Sequence, residues 1–261
     1  MVKGLFVASN GMINEQNRVD TLSNNLANSA TTGYKKEGTT AQAFKDVLAY
    51  KIKDTSEAGI PKRLGTMNLG VKIGENYTDF SQGSFQETGN TFNLALSGNG
   101  FFNIEFAKKG DEGGTEVKYT RDGTFTLNVK GELVNKNGDY VLDTNGAHIV
   151  LDPLQTYSVD RAGTIREVAT GDALAQIQIT DFEDYDYLEK YGETYFQTVD
   201  GATEQEADAS VYSGYLETSN VQVVQEMVDL IAFTRAYESN QKIIQAYDET
   251  LGTAVNDVGK V

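Results

Sequence analysis

The chain of 261 residues contains no cysteine, no tryptophan and a single histidine, His148. The absence of cysteine excludes disulfide bonds, thiolate metal sites and cysteine nucleophiles. A zinc site or a serine–histidine–aspartate triad would have to depend on His148 alone. Because the spacing indicates no second ligand for it, we expect this histidine to have a structural role in a strand over residues 147–151.

Long apolar runs and nucleotide-binding motifs are also missing. No apolar segment approaches the roughly 20 residues that a membrane-spanning helix needs, so we expect no membrane insertion. The first residues become polar too soon for a secretory signal peptide. Neither a P-loop nor a GxGxxG pattern occurs. The 38 acidic residues offer many carboxylate pairs, but no spacing selects two of them. We therefore predict no cofactor, no metal and no enzyme activity.

The charge is strongly negative and unevenly distributed. The formal net charge is −16, from 22 basic and 38 acidic residues. Residues 1–65 carry nine Lys or Arg and six Asp or Glu, a net of +3, whereas the rest carries 13 against 32, a net of −19. Because nucleic-acid binding needs a basic face, this balance argues against a nucleic-acid partner.

Apolar residues recur at intervals of seven at both ends of the chain. A period of seven keeps an apolar row on one side of a helix and favours packing against another helix. We predict one helix over residues 4–28 and a second that runs from a capping box at residues 219–222 to residue 258. The N-terminal row is Leu5, Met12, Val19 and Leu26, and the C-terminal row is Val223, Leu230, Tyr237, Ile244, Leu251 and Val258.

Polar residues interrupt both predicted helices. The first ends in an Asn-rich run over residues 23–30, although Asn side chains compete for the backbone hydrogen bonds of a helix interior. In the second, the row from Met227 to Val255 is polar in its middle. Both features favour contact surfaces that are shared among several copies of the chain. They argue against a coiled coil that is formed within one chain and has a fully apolar core. The predicted assembly interface consists of Leu5, Met12, Val19, Leu22, Asn24, Asn25, Leu26, Asn28, Val223, Met227, Leu230, Tyr237, Ile244 and Leu251.

The middle of the chain has a different period. From about residue 66 to 180 apolar residues alternate with polar ones between closely spaced Gly-containing turns, which indicates antiparallel β-structure. Residues 92–96 and 102–106 predict the two arms of one hairpin. Residues 181–214 are acidic and rich in Tyr, which favours a loop or peripheral hairpin. Phe44, Val47 and Leu48 predict a short amphipathic helical turn.

Together these patterns predict an α+β fold. The long N- and C-terminal helices should pack as an α-helical, coiled-coil-like domain, and the centre should be an all-β domain of antiparallel hairpins. The expected division is 1–35 with 215–261 as the helical assembly domain, 36–80 with 181–214 as a connecting or extended region, and 81–180 as the central β domain.

Three separated motifs cover almost the whole chain. They are Gly-Met at 11–12 with VDTLSNNLANSATTGYK at 19–35, LSGNGFF at 96–102 with YTRDGTF at 119–125, and GYLETSNV at 214–221 with EMVDLI and TRAYESNQK up to residue 242. On these residues the chain resembles the bacterial flagellar basal-body rod and hook proteins. Within that family the C-terminal block is most similar to the distal rod branch, and next to the proximal rod branch.

The resemblance implies a structural subunit without enzyme activity. Such subunits stack helically into a hollow rod, the drive shaft that transmits torque to the hook, and leave the cell through the flagellar type III export apparatus. The implied partners are further copies, neighbouring rod and hook proteins, the export apparatus and a surrounding ring or bushing. The implied location is the flagellar basal body in the cell envelope. Phe44 and Leu48 fit the short export motif of the family, although a packed helical turn explains them equally well.

Two readings from other classes stay open on the residues alone. A surface-binding β module with coiled-coil stalks would form small closed assemblies, whereas a wall-acting hydrolase would use two of the carboxylates. Within the family, a proximal rod or hook-type axial protein is the alternative. Because the terminal helices of a free subunit lack partners, we expect them to be largely disordered until assembly.

Overall fold

The computed structural model describes residues 2–51, 62–107 and 114–258. Two long helices bracket the strands: α1, Val2–Ala27, and α2, Val223–Thr253, which continues as a π-helical segment, Ala254–Val258. The first strands of the described chain are β1 Glu37–Ala43, β2 Val47–Lys51, β3 Lys62–Met67, β4 Val71–Thr78, β5 Phe85–Glu87, β6 Leu94–Gly98, β7 Phe101–Ala107, β8 Thr115–Thr120, β9 Phe125–Leu127 and β10 Leu133–Asn135. Those that follow are β11 Tyr140–Val141, β12 Tyr157–Val159, β13 Thr164–Glu167, β14 Ala173–Gln176, β15 Ile179–Phe182, β16 Leu188–Tyr191, β17 Tyr195–Thr198, β18 Glu204–Glu206, β19 Ala209–Ser213 and β20 Tyr215–Glu217.

The chain folds into two compact units. Unit 1 consists of Met1–Ala27, Glu37–Asp79 and Gln222–Val261, and unit 2 of Asn28–Lys36 and Phe80–Val221. The two helices therefore belong to one unit although about 195 residues separate them along the chain. Residues 37–79, expected from the sequence to connect the domains, belong to unit 1, and residues 181–214 belong to unit 2.

Unit 1 combines the two helices with two antiparallel strand pairs. β1 pairs with β4 over Glu37↔Thr78 to Ala43↔Val71, with a register shift between Thr39 and Ala41. β2 pairs with β3 over Val47↔Met67 to Lys51↔Lys62. The predicted helical turn at Phe44–Leu48 is wrong, because Leu48 lies in β2. The short-range apolar spacing of this segment fits a strand as well as a helical turn, and strand pairing decides between them.

Unit 2 is built around one large antiparallel sheet. Its strand order is β16-β17-β8-β7-β11-β10-β9, and β15 pairs with both β7 and β18. Smaller sheets, all antiparallel, are β12-β13-β14, β19-β6 and β20-β5. The prediction of an antiparallel β body is confirmed. Residues 181–214, predicted to be a loop or peripheral hairpin, contain the hairpin of β16 and β17 at the edge of this sheet, and β18 and β19 also pair within the unit.

Alternation along the strands builds two apolar clusters in unit 2. Phe102 and Ile104 of β7 are fully buried in the larger cluster, whereas their neighbour Phe101 is buried in the smaller one with Tyr119 and Phe196. Successive side chains of a strand point to opposite faces of the sheet, so β7 supplies both clusters. Burial of these aromatic and aliphatic side chains is the main favourable contribution to folding of this unit.

The hairpin predicted at residues 92–106 is a different arrangement in the structure. β6 pairs with β19, with Leu96 opposite Val211, and β7 pairs with β8. Gly98 and Gly100 have φ of 110° and 133°, which only glycine adopts readily. They turn the chain from one sheet into another, so alternation predicted the strands correctly but not their partners.

The N-terminal cap of α2 differs from the prediction. Gln222 is the N-cap residue and its side chain makes no capping hydrogen bond, so the predicted capping box is wrong. The oxygen Oγ of Ser219 accepts from the backbone N–H of Val221 instead. The regular α-helix ends at Thr253, and the π-helical segment continues to Val258, the predicted end. Neither helix of the described chain is sufficiently long and apolar to cross a membrane.

Candidate assembly interface

Contacts between α1 and α2 repeat every seven residues on each helix. The positions rise by seven along α1 while they fall by seven along α2, so the two helices run antiparallel. The contacting pairs are Gly4 with Tyr247, Gly11 with Asn240, Arg18 with Phe233 and Asn25 with Glu226. We call these eight residues the seam.

Glycine makes room for side chains of α2 at one end of the seam. A Cβ atom at Gly4 would lie 2.3 Å from Oη of Tyr247, and one at Gly11 would lie 3.1 Å from Nδ2 of Asn240. Farther along, the guanidinium carbon of Arg18 lies 4.5 Å from the centroid of the Phe233 ring, a cation–π contact. Neither type of contact is the knobs-into-holes packing of apolar side chains that is found in a leucine zipper.

A buried polar cluster closes the other end of the seam. Asn25 is fully buried, its Nδ2 donates to the carbonyl oxygen of Glu37 at 2.8 Å, and its Oδ1 accepts from the N–H of Glu37 at 3.0 Å. The same Nδ2 lies 3.4 Å from Oε2 of Glu226, which is also fully buried. Buried polar contacts of this kind lower stability but fix register, because a shifted register would leave the groups unsatisfied.

The predicted assembly residues lie beside this seam rather than along it. The N-terminal row predicted from Leu5 is one residue later than the seam row that begins at Gly4. Of the predicted set, Asn25 is buried and belongs to the seam. Half-buried members are Leu5, Met12, Val19, Leu22, Leu26, Asn28, Leu230, Tyr237 and Ile244, and exposed members are Asn24, Val223, Met227 and Leu251. Gly4 and Gly11 are the residues of the sequence that could have indicated the seam, but a search for the spacing of apolar residues does not include glycine.

The N-terminal part of α2 has an exposed apolar stripe. Its members are spaced i, i+3, i+4 and i+7, so they share one side of the helix. We call this set the α2 stripe. At about 100° per residue, Val228 lies about 200° around the helix from the seam residue Glu226, so the stripe faces away from α1. The α2 stripe consists of Val224, Met227, Val228 and Ile231, which are 78%, 46%, 57% and 53% exposed.

The candidate export residues lie in the strand region of unit 1. Phe44 is half-buried between β1 and β2, and its N–H donates to the carbonyl oxygen of Gly70 at 3.0 Å. Leu48 lies in β2, and its side chain is outside the described part of the structure.

His148 lies on the surface of unit 2, in an isolated bridge with Leu142. Its ring stacks on Tyr140 with centroids 4.3 Å apart, and its Nε2 contacts Oε2 of Glu105. That hydrogen bond, with a second from Thr115, lowers the pKa of Glu105. In the described part of the chain, no group of three or more His, Asp or Glu residues is arranged to hold a metal ion.

A buried ionic cluster lies within unit 2. Nζ of Lys35 donates to Oε1 of Glu217 at 2.7 Å and to the carbonyl oxygen of Ser81 at 2.8 Å. Nη1 of Arg121 lies 3.4 Å from the other oxygen of Glu217, and Nη2 donates to the carbonyl oxygen of Gly98 at 2.8 Å. Hydrogen bonds to backbone groups thus accompany the paired charges, as burial of ions requires.

Two further hydrogen bonds lie beside this cluster. Oγ1 of Thr32 donates to Oδ1 of Asp122 at 2.7 Å, and the N–H of Gly33 donates to the carbonyl oxygen of Glu217 at 2.9 Å. Residues 32–35, 121–122 and 217 come from the three motifs that carried the resemblance. Three segments that are remote in the sequence therefore meet in one buried network.

Comparison with known proteins finds family models that match parts of the chain containing these three segments. Residues 5–35 match the model of the flagella basal body rod protein, residues 95–167 the D1 domain of flagellar hook protein FlgE/F/G, and residues 212–257 the C-terminal model of flagellar basal body rod FlgEFG proteins. The flagellar basal-body rod protein FlgG of Bacillus subtilis is 34% identical over 98% of this chain and 99% of its own length. The chain belongs to the flagellar basal-body rod protein family.

Other relatives represent more than one member of the family. The flagellar hook-basal body complex protein FlhO of Bacillus subtilis is 32% identical over the full length of both chains. The flagellar basal-body rod protein FlgF of Caulobacter vibrioides is 33% identical, again over both full lengths. This rod-family protein is a structural subunit of the flagellar basal-body rod, as predicted. Lys35, Arg121 and Glu217 each come from a different one of the three matched segments.

Proposed function

We propose that this chain polymerises helically, copy upon copy, into the hollow rod that transmits torque to the hook. The observation that carries the proposal is the helix pair of unit 1, which leaves apolar side chains uncovered on both helices. Phe6 and Ile13 of α1 are 48% and 50% exposed, and the α2 stripe lies near the opposite end of the antiparallel pair. Contacts between different surfaces of successive copies do not close, and they generate a helical polymer.

The helical assembly domain in this proposal is the coiled-coil-like pair of terminal helices. The seven-residue repeat of the seam supports it, and so do the half-buried residues beside the seam, such as Leu22, Leu230 and Ile244. A glycine-rich, partly polar seam holds the helices in register without a large apolar contribution. We therefore propose that the pair is weakly stable in a free subunit and gains its stability when neighbouring copies cover it.

Substitutions beside the seam test this part of the proposal. Leu230→Asp and Leu22→Asp place a charge on half-buried positions and should abolish swimming while unit 2 stays folded. Gln241→Asp is the matched control, because Gln241 is an exposed position of the same helix. Circular dichroism and limited proteolysis of the purified variants check the folding of unit 2. Normal swimming of both leucine variants would contradict an assembly role for these positions.

We propose a distal position in the rod and export through the flagellar type III apparatus. The similarity of the C-terminal block, residues 214–242, to the distal rod branch supports the distal position, and a proximal position is the alternative. Phe44 and Leu48 are the candidate export residues. Neighbouring rod and hook proteins, the export apparatus and an outer ring or bushing are the proposed partners, and no catalytic activity is proposed.

Electron micrographs of basal bodies from a deletion strain separate the two positions. A distal subunit predicts that a short proximal rod remains, whereas a proximal subunit predicts that growth stops before that rod is complete. An unchanged rod would contradict both. Secretion of a Phe44→Ala variant, measured in the culture medium of a hook-deficient strain, tests the export residue. A turnover assay on purified peptidoglycan tests the remaining alternative of a wall-acting hydrolase.

A further inference from the structure

Four asparagine residues of the chain are followed directly by glycine. The pairs are at positions 10–11, 99–100, 137–138 and 145–146. Asparagine is a thermolabile residue, because the backbone nitrogen of the next residue can attack its side-chain amide carbon. Glycine as the next residue favours this attack, since no Cβ atom obstructs the close approach. The dipeptide is the same in all four cases, so the folded structure has to distinguish between them.

In three of the pairs the side chain of the asparagine is held by a hydrogen bond. In each case the amide nitrogen Nδ2, the atom that would have to leave, donates to a nearby oxygen. The acceptors are the carbonyl oxygen of Leu69 for Asn10, Oη of Tyr195 for Asn137 and Oδ2 of Asp143 for Asn145, at 3.4, 2.6 and 2.9 Å.

The glycine N–H groups of the same three pairs are also bonded. Gly11 lies inside α1, where each N–H donates to the carbonyl oxygen four residues earlier. The N–H of Gly138 donates to the carbonyl oxygen of Asn135 at 3.1 Å, and that of Gly146 to the carbonyl oxygen of Asp143 at 2.7 Å. In these pairs both the attacking nitrogen and the amide under attack are therefore restrained.

The pair at 99–100 lacks these restraints. Asn99 is exposed, and its side chain makes no hydrogen bond to any described residue. Within the same part of the chain, neither the N–H of Gly100 nor the carbonyl oxygen of Asn99 takes part in a backbone hydrogen bond. The peptide group that joins the two residues is thus free at both of its polar atoms.

The backbone around this peptide group is held, but by contacts outside the group. The carbonyl oxygen of Gly98 accepts from Nη2 of Arg121 at 2.8 Å, and a Cβ atom at Gly100 would lie 2.8 Å from Cβ of Ala207. Rotation of the peptide group changes ψ of Asn99 and φ of Gly100 together and leaves the flanking Cα atoms in place. Glycine permits a wide range of φ, and no hydrogen bond opposes the rotation.

We infer that Asn99 is a site of spontaneous deamidation in the folded chain. The backbone nitrogen of Gly100 forms a bond to Cγ of Asn99, the Cγ–Nδ2 bond breaks, and Nδ2 leaves as ammonia with the proton of the former N–H group. A water molecule then opens the cyclic succinimide to aspartate or isoaspartate. In sum, a side-chain amide and water give a carboxylate and an ammonium ion.

The products change the crossing from β6 to β7. Both add a negative charge to the segment LSGNGFF at 96–102. Isoaspartate also lengthens the backbone by one methylene group, at the point where the chain passes from the sheet of β6 into that of β7. The inference does not depend on the proposed polymerisation, because the reaction takes place within one chain.

Mass spectrometry of the purified full chain tests the inference. The folded chain is incubated at mildly alkaline pH and digested at acidic pH, and deamidation is quantified over time in the peptides that contain each of the four pairs. The same incubation in guanidinium chloride gives the four rates without tertiary structure. Asn99→Gln is the control variant, because the longer side chain of glutamine forms a cyclic imide much more slowly. It should remove the signal at this site and leave the other three unchanged.

In the folded chain Asn99 should react about tenfold faster than the other three asparagines, because each of those must first lose its hydrogen bonds. In guanidinium chloride the four rates should become similar. Faster reaction of another asparagine in the folded chain, or equal rates at all four, would overturn the inference. So would an unmodified Asn99 in the folded chain under conditions in which the unfolded chain reacts there.

Discussion

Lys35 and Glu217 form an ion pair with Nζ and Oε1 2.7 Å apart, although the two side chains are only 1% exposed. They are 182 positions apart in the sequence. Around them, Arg121 and the N–H of Gly83 contact the carboxylate of Glu217, and the carbonyl oxygen of Ser81 accepts from Lys35. The pair joins the N-terminal and C-terminal motifs of the rod family inside unit 2, so its loss should affect that unit as a whole.

Lys35→Met should destabilise unit 2 by about 3–5 kcal/mol, because it removes the nearer cation from the buried carboxylate of Glu217 and leaves the longer contact to Arg121 and a hydrogen bond from the N–H of Gly83. Urea unfolding followed by circular dichroism measures the change. Lys136→Met is the control: Nζ of Lys136 lies 2.9 Å from Oδ2 of Asp122, but the lysine side chain is 40% exposed. A pair of this kind is worth about 0–1 kcal/mol. Equal losses of unfolding free energy in the two variants would contradict the prediction that the buried pair contributes more than the exposed one.

Gly33→Ala should cost clearly more than Gly89→Ala. The two glycines have nearly the same φ, 68° and 71°, so the strain of an alanine there, about 1–2 kcal/mol, is common to both. At Gly33 the new Cβ would also lie 2.3 Å from the backbone nitrogen of Asp122, whereas at Gly89 nothing lies within 4 Å. The difference between their unfolding free energies therefore isolates the close backbone approach, and a difference near zero would contradict it.

Asn25→Ala should destabilise the helix pair of unit 1 by about 1–3 kcal/mol, because the N–H and carbonyl groups of Glu37 lose their side-chain partner. The measurement is the midpoint of thermal unfolding of the helical signal in circular dichroism. Ser23→Ala is the control on the same helix turn, at an exposed position. A larger shift for Ser23→Ala than for Asn25→Ala would show that the buried amide does not hold this end of the seam.

His148→Ala should flatten the acid side of the stability profile. The hydrogen bond from His148 lowers the pKa of Glu105 below its ordinary value of 4.5. A depressed carboxyl pKa contributes stability that is present above the unfolded value and is lost as the pH falls through the folded value. The wild-type chain should therefore lose stability more steeply below pH 4.5 than the variant does. Urea midpoints measured at a series of acidic pH values test this, and parallel profiles would contradict it.

The period of each segment was sufficient to predict its type. Seven-residue spacing predicted both helices close to their observed ends, and alternation predicted the antiparallel β body. Local patterns work here because helices and strands bury one face whatever their partner is. The same patterns could not choose partners: β6 and β7 both alternate as predicted but pair with β19 and β8.

Contacts between helices needed the tertiary structure for a similar reason. A search for apolar residues finds Leu5 and Met12, which lie beside the seam, and passes over Gly4 and Gly11, which make room for the side chains of Tyr247 and Asn240. Glycine contributes to a contact by having no side chain, so hydrophobicity does not reveal it. The sequence pattern does not reveal the polar contact of Asn25 with Glu226 either, because the partner of the buried amide is 201 positions away.

The sequence by itself determined the family, the antiparallel β body and the helices at the two ends, since these depend on local periodicity and on motifs that can be compared directly. The tertiary structure alone decided that Lys35, Arg121 and Glu217 meet, that a row of mostly glycine and polar residues forms the seam, and that the α2 stripe faces away from α1. Burial and pairing are properties of the folded chain, because segments far apart in sequence create them together.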